Sequence, residues 1–381
     1  MWLRFLSKNA IATIQELAVQ KAIARVVARE ADNGFVLSFC VPKFETLLSN
    51  NFESRVIATG SGTDALIISL KALNIGPGDE VIVPAFGCIP IASSVSWVGA
   101  KPIFVDIQEV DYAIAPEKMI EKMTSKTRAI IIAHLFGQVT RAIYDVLQIA
   151  KQHKIFVVED AAQSFGAKIE NNGEWKNAGT IGDIGCLSFS SKKLFSAPGN
   201  GGAVIAKEPH LIEEIRRMRL FGSKTRDYDY PTIGINANLE EINAAALLAK
   251  LPFLEYWLEH RRKLADYYTK TLSDIRYIIL PCEEKGTKRI WYRYVVRVKK
   301  RDQLFEYLRT TFHSVSRLRP MIHYPVPLPY FSAFESGYSE GSFPISDQMS
   351  SEVMSLPLNN SMSLTDVDRV CEAIVNFFNN M

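Results

Sequence analysis

From about Glu53 to Ile205 the chain repeats one pattern: a short, continuously apolar run, then a helical stretch. The runs are RVIAT, EVIVP, KPIFVDI, RAIIIAHLF, KIFVVED, CLSFS and GGAVIA. They are rich in Val and Ile and do not alternate with polar residues. A strand that is apolar on both faces must be covered on both faces. The intervening segments, such as TDALIISLKAL and YDVLQIAKQHK, supply the covering helices. The pattern predicts an α/β fold whose mainly parallel sheet is doubly wound. In such sheets ligands sit beyond the carboxyl ends of the strands, so residues ending the runs are the first candidates for chemistry.

After Asn236 the character changes. LEEINAAALLAKLPFLEYWLEHRRKLADYYTKTL reads as a long helical region, with Pro252 as a break or fresh start. RIWYRYVVRV reads as a strand, DQLFEYLRTTF as a helix, and LTDVDRVCEAIVNFFNN as a closing helix. The expected organisation is a large α/β domain over 1–255, including an N-terminal helical segment, and a smaller α+β domain over 256–381.

With 48% hydrophobic and 22% charged residues, the chain has the composition of a globular protein with a sizeable core. A net charge of +3 is too small to point to nucleic acid. The five cysteines are scattered and odd in number, with no CxxC or Cys/His cluster. That excludes a disulfide framework, suggests no metal site, and fits reduced thiols in the cytoplasm. No apolar stretch is long enough to span a bilayer. The opening segment, MWLRFLSKNAIATIQELAVQKAIARVVARE, is a basic amphipathic helix candidate. Membrane-surface docking is one use of such a helix, but packing on the body of the protein is the reading adopted.

Two segments carry the strongest chemical signal. VVEDAAQSFGA places Asp160 at the end of an apolar run, with Gln163 one helical turn on. SFSSKKLFSAPGNGGAV places Ser188, Lys192 and Lys193 on a Ser/Gly-rich loop. A lysine there can condense with an aldehyde, and a buried carboxylate can keep a pyridine nitrogen protonated. Together these are what pyridoxal 5'-phosphate (PLP) needs. Asp160 alone would pass for an N-cap, and the double lysine for a solvated turn. Glu159 points to the opposite face from Asp160 and reads as a surface or helix-contacting residue. The two lysines are not distinguished by pattern. In RVIATGSGTDALIISL, small residues lead from a strand into a helix start, a natural phosphate site. A dinucleotide fold would require an acidic residue ending the next strand, whereas Asp79 and Glu80 precede it. Asn236 alone reads as a cap or turn, and His323 in MIHYPVPL alone as a packed histidine.

Taken in order, SGTDAL, GDEVIVPAF, GAKPIFVDI, EDAAQSFGA, SFSSKKLFSAPGNGG, IGINANLEEINAA, HYPVPL and SLPL resemble the DegT/DnrJ/EryC1/StrS family of PLP-dependent sugar aminotransferases. The resemblance spans roughly residues 53 to 375. It implies an aspartate-aminotransferase-like PLP fold of type I. Gly62, Thr63 and Ser188 would bind the phosphate. Asp160 would meet the pyridine nitrogen and Gln163 the ring hydroxyl. Counting five from Ser188, or back nine from Gly202, gives Lys193 as the lysine that carries the cofactor. Asn236 would reach the phosphate of a neighbouring subunit, implying a homodimer with shared sites. His323 is the candidate substrate contact. The implied reaction moves an amino group from L-glutamate to a keto group of a nucleotide-linked sugar, in surface polysaccharide or secondary-metabolite sugar biosynthesis. Arg219, Lys224, Arg289 and Arg293 are candidate cations for a nucleotide diphosphate.

The sequence departs from the family pattern in places. Cys88 stands where an aromatic residue often stacks on the ring, and Asn238 replaces the Arg of GxNxR. Pro198 interrupts the loop after the lysine, and the usual Pro-containing opening is absent. The competing readings are a PLP-dependent sugar dehydratase or lyase and a non-catalytic regulatory protein of the same fold. In the dehydratases a histidine replaces the lysine, so Lys193 argues for transamination.

Overall fold

The computed structural model describes residues 7–28, 38–224, 228–334 and 337–380. Its large domain contains strands β1 (Arg55–Thr59), β2 (Glu80–Pro84), β3 (Lys101–Val105), β4 (Thr127–Ala133), β5 (Phe156–Asp160), β6 (Lys168–Asn171), β7 (Glu174–Asn177), β8 (Ile184–Ser188) and β9 (Gly202–Ala206). Seven of them form one sheet in the order β1-β9-β8-β5-β4-β2-β3. All are parallel except β9, which runs antiparallel to both of its neighbours.

The continuous apolarity of the strands has the cause anticipated from sequence. Neighbouring residues of each strand enter different cores, because side chains alternate across a sheet. Ile57, Val81, Val83, Ile131, Val158 and Val204 pack with residues of the helices Gly62–Ala72, Pro90–Trp97 and Pro209–Met218. Val56, Ala58, Leu187, Ala203 and Ile205 face the helices Cys40–Phe52 and Glu241–Lys250. Ile82, Ile130, Ile132 and Val157 face the helix Ala142–His153.

The helix Cys40–Phe52 has no side-chain cap of its own. Its N-terminus is closed by Glu241, 200 residues later, whose carboxylate accepts from the backbone N–H groups of Ser38, Phe39, Cys40 and Val41 at 2.6–3.3 Å. An anion there answers the donors that a helix start leaves unpaired. The N-terminal helix, Lys8–Ala28, packs on the helix Glu241–Lys250. It is less amphipathic than expected: only Ile11 is fully buried, and Leu17 and Val27 are exposed. The rest of the opening segment lies outside the described residues.

The region after Asn236 divides as Pro252 suggested, with a 3-10 turn at Leu251–Phe253 between the helices Glu241–Lys250 and Leu254–Leu272. The second helix serves two cores. Trp257 joins the large domain, whereas Leu264, Ala265, Tyr268 and Leu272 join the small one. The expected boundary at 255/256 falls at the start of this helix. The smaller domain holds β10 (Ile278–Ile279), β12 (Tyr294–Val298) and β13 (Val353–Leu356) in a second sheet, while β11 (Thr287–Lys288) pairs with β6. The hairpin β6–β7 was not read from the sequence. Its signal was Asn172-Gly173, both at positive φ (52° and 84°), the requirement of a tight two-residue hairpin turn.

Candidate active site

The sheet register brings the chemical candidates to one edge. Asp160 ends β5 level with Ala133 and Cys186, while Thr59 and Ser188 end β1 and β8 on either side of Gly202. Because β9 returns antiparallel from that edge, the loop between β8 and β9 stays there, and it carries Lys193.

The turn after β1 is built for close approach. Ser61 caps the helix Gly62–Ala72, its Oγ accepting from Asp64 N at 3.0 Å. A Cβ on Gly62 would lie 2.7 Å from Ser188 Cβ and 3.1 Å from Ser188 Oγ. One on Gly202 would overlap the Ser61 carbonyl. Glycine at both positions therefore lets the helix start, with its outward N–H groups, meet the Ser188 hydroxyl. Thr63 sits half-buried in the first turn. This is a cradle for a phosphate.

Asp160 is buried, 8% exposed, and its Oδ1 accepts from Ala162 N at 3.0 Å. Burial raises its carboxyl above the ordinary carboxylate range, against the pull of the Ala162 N–H and the Lys193 charge. A group that donates a hydrogen bond or carries positive charge beside it would restore the anion. Gln163 is held at both ends. Its Oε1 accepts from Phe136 N at 3.0 Å, and its Nε2 donates to Tyr324 Oη at 2.8 Å. A backbone N–H can only donate, so the amide orientation is fixed and one Nε2 hydrogen is left for a ligand. Tyr324 itself packs on Phe86 and Phe136, at ring-centroid distances of 5.7 and 6.4 Å.

The double lysine is resolved by exposure: Lys192 is exposed and Lys193 half-buried. Lys193 Nζ lies 5.3 Å from the centroid of the Tyr292 ring. Its charge reaches Asp160, Cys88 and His323. Cys88 stands in the loop between β2 and the helix Pro90–Trp97, beside the Tyr324 hydroxyl, and burial pushes its thiol up. His323 Nδ1 pairs with Ser355 Oγ at 2.9 Å. Burial, with Arg293 and the two lysines nearby, lowers His323 to about 4, so its imidazole is neutral at physiological pH. Asn236 is exposed, and its Oδ1 accepts from Asn238 Nδ2 at 3.3 Å. Next to it, Ala237 O accepts from Gly60 N at 2.7 Å, which places this segment against the cradle.

Two expectations are corrected. Glu159 is neither a surface nor a helix-contacting residue. It is wholly buried, bonded to His134 Nε2 at 2.8 Å and accepting from the N–H groups of Gly179, Ile181 and Gly182 at 2.6–2.8 Å. Nor does Arg219 serve the mouth of the crevice: it is buried, ion-paired with Glu45, and donates to Ala58 O at 2.7 Å. Sequence reasoning also missed Tyr324, Tyr292 and His134. Tyr324 directly follows His323, and its signal was the HYPVPL motif itself.

The phosphate cradle, the buried Asp160 with no ion pair among the described residues, the oriented Gln163 amide and the half-buried lysine fit PLP. The fold is that of a PLP-dependent aminotransferase. The chain belongs to the DegT/DnrJ/EryC1/StrS aminotransferase family, which it matches over residues 20–375. It is 37% identical over 348 residues to the "Pleiotropic regulatory protein" of Geobacillus stearothermophilus, covering 90% of this chain and 91% of that one. It is 36% identical over 357 residues to the dTDP-3-amino-3,6-dideoxy-alpha-D-galactopyranose transaminase of Aneurinibacillus thermoaerophilus, covering 93% and 95%. Among solved structures it resembles S. venezuelae DesV in complex with a ketimine intermediate, with a TM-score of 0.89 and 31% identity, covering 98% and 97%. The chain is accordingly a transaminase with PLP as cofactor. No described helix is long and apolar enough to cross a membrane.

Proposed function

We propose that this enzyme transfers the amino group of L-glutamate to a keto carbon of a nucleotide-linked sugar, in the cytoplasm, for surface polysaccharide or secondary-metabolite sugars. The carrying observation is the placement of Lys193, half-buried with its charge felt by both Asp160 and His323, while Lys192 is exposed. The name of the Aneurinibacillus relative supports a sugar acceptor.

In this reading PLP, when bound, supplies an electron sink for the carbon that loses and regains a proton. Gly62 and Thr63 at the helix start, with the Ser188 hydroxyl, hold its phosphate. Asp160 accepts from the ring N–H and keeps that nitrogen protonated. Gln163 Nε2 donates to the ring hydroxyl. Lys193 would anchor the cofactor, and its amine, when free, would carry the proton between the two reacting carbons. Cys88, uncharged because burial raises its thiol, would meet the ring where an aromatic residue is more usual. His323, neutral, offers one imidazole nitrogen to a substrate hydroxyl. Asn236, exposed beside Ile233 and Ile235, serves the cofactor phosphate of a second copy in a homodimer.

The test is spectroscopic and then chemical. Purified protein should be yellow and bleach on addition of L-glutamate. A panel of nucleotide-linked 3-keto and 4-keto sugars should then show one product gaining an amine by mass. Lys193→Ala should remove the colour and Lys192→Ala retain it. If Lys192→Ala is the colourless variant, the lysine assignment is wrong. Protein that stays colourless with added PLP would favour the regulatory reading suggested by the Geobacillus relative's name.

A further inference from the structure

Arg293 is a cation at the edge of this site with no counter-ion among the described residues. Its guanidinium lies 4.9 Å from the centroid of the same Tyr292 ring that carries Lys193 Nζ at 5.3 Å. Its side-chain partners are weak: Tyr292 Oη at 3.5 Å and Met321 Sδ at 3.7 Å. Its Nε is buried with no acceptor. Among the described residues it forms no ion pair, in contrast to the neighbouring Arg297, which is bonded to Glu109 and Glu352. Arg293, with Lys193 and Lys192, is close enough to neutral His323 to lower its proton affinity.

A half-buried guanidinium with unspent donors strongly favours an anion, and its planar fork matches a carboxylate. We propose that Arg293 receives the carboxylate nearest the amine of the amino donor that reacts at Lys193. This deepens the reading given above and rests on Lys193 being the reacting amine. The source of the anion follows from reach. Both carboxylates of glutamate lie within a few bonds of its amine, and that amine must take the place of Lys193 Nζ, over the ring Arg293 also covers. The diphosphate of a nucleotide-linked sugar is separated from its keto carbon by the width of the sugar ring, whereas one carboxylate of the donor is bonded directly to the carbon that carries the amine, so the donor presents its anion closer to this cation. The role as a diphosphate contact expected from sequence is therefore reassigned to the donor.

The test separates the two halves of the reaction in the PLP-loaded enzyme. Arg293→Met keeps the packing on Tyr292 and removes the charge. The concentration of L-glutamate giving half-maximal bleaching should rise about 10- to 100-fold, as expected for losing one charge-assisted hydrogen-bonded pair. Calorimetric binding of glutarate, which cannot react, should weaken by a similar factor. Arg293→Lys should recover part of both. The half-saturating concentration of the keto-sugar in the return half-reaction should stay within about twofold of wild type. Unchanged glutamate and glutarate binding in Arg293→Met overturns the inference, as does a loss confined to the sugar arm. Wild-type enzyme that fails to bleach with glutamate at all would instead remove the choice of donor on which the inference stands.

Discussion

Gly62→Ala isolates the phosphate cradle. The new Cβ would stand 2.7 Å from Ser188 Cβ, against the roughly 3.5–4.0 Å at which carbon atoms rest in contact. Neither side yields easily. Gly62 is the first residue of a capped helix, and Ser188 ends a strand paired on both edges. The helix start must move away from β8 by about 1 Å, and overpacking of that size costs about 1–3 kcal/mol. Since the amides that would meet the phosphate move with it, the displacement should appear in cofactor binding. We expect PLP to bind the apo variant about 10- to 100-fold more weakly in a fluorescence titration, at 1.4 kcal/mol per factor of ten. Ser188→Gly on that background removes the colliding atom but also the hydroxyl, so it should restore part of the affinity. Wild-type PLP affinity in Gly62→Ala would refute the idea that this glycine exists for close approach.

Asp160→Asn should lower PLP retention and activity yet stabilise the apo protein at pH 7–8. Burial raises the Asp160 pKa, so its charge is a folding cost above the folded-state value, and that cost fades as pH falls. Thermal melts of the two apo proteins should therefore converge in acid; a constant gap across pH would count against this. His323, lowered to about 4 from 6.5, makes the fold lose stability as pH drops between those values, on the order of 2–3 kcal/mol. His323→Gln should flatten that part of the stability–pH curve in urea melts, and an unaltered slope would contradict it. Glu241→Ala removes the carboxylate that accepts from the buried N–H groups of Cys40 and Val41, so its urea midpoint should fall by the equivalent of roughly 2–4 kcal/mol. A midpoint unchanged from wild type would mean that water replaces the carboxylate.

The sheet was legible because burial on both faces is written directly in the apolarity of β2, β4, β5, β8 and β9. The end of β5 was legible for the same reason: a carboxylate that terminates such a run has the crevice in front of it. What pattern alone left open was three-dimensional. Lys192 and Lys193 are equivalent in composition, and only the course of the loop exposes one and half-buries the other. Glu159 looked solvated because charged residues usually are. It is buried because the 179–182 loop folds back with three N–H groups to receive it. Tyr324 went unremarked because its role depends on Gln163, 161 residues away. Arg293 was noticed as a charge, but its lack of a counter-ion among the described residues is a property of surroundings that no linear spacing records.

The helix closed by Glu241 also bears on how the polypeptide emerges from the ribosome. β1 is made first among the strands, yet its partner in the sheet is β9, some 150 residues later, and the helix preceding it gains its closing carboxylate later still. Synthesis therefore delivers β2 to β5, which pair with one another, well before β1 has any edge to join. The nascent amino-terminal portion must wait, its apolar surface unburied, until about residue 241 is clear of the exit tunnel. Such a delay, set by non-local pairing, exposes sticky surface to solvent. It makes the helix Cys40–Phe52 and β1 the stretch where a chaperone would have most to do.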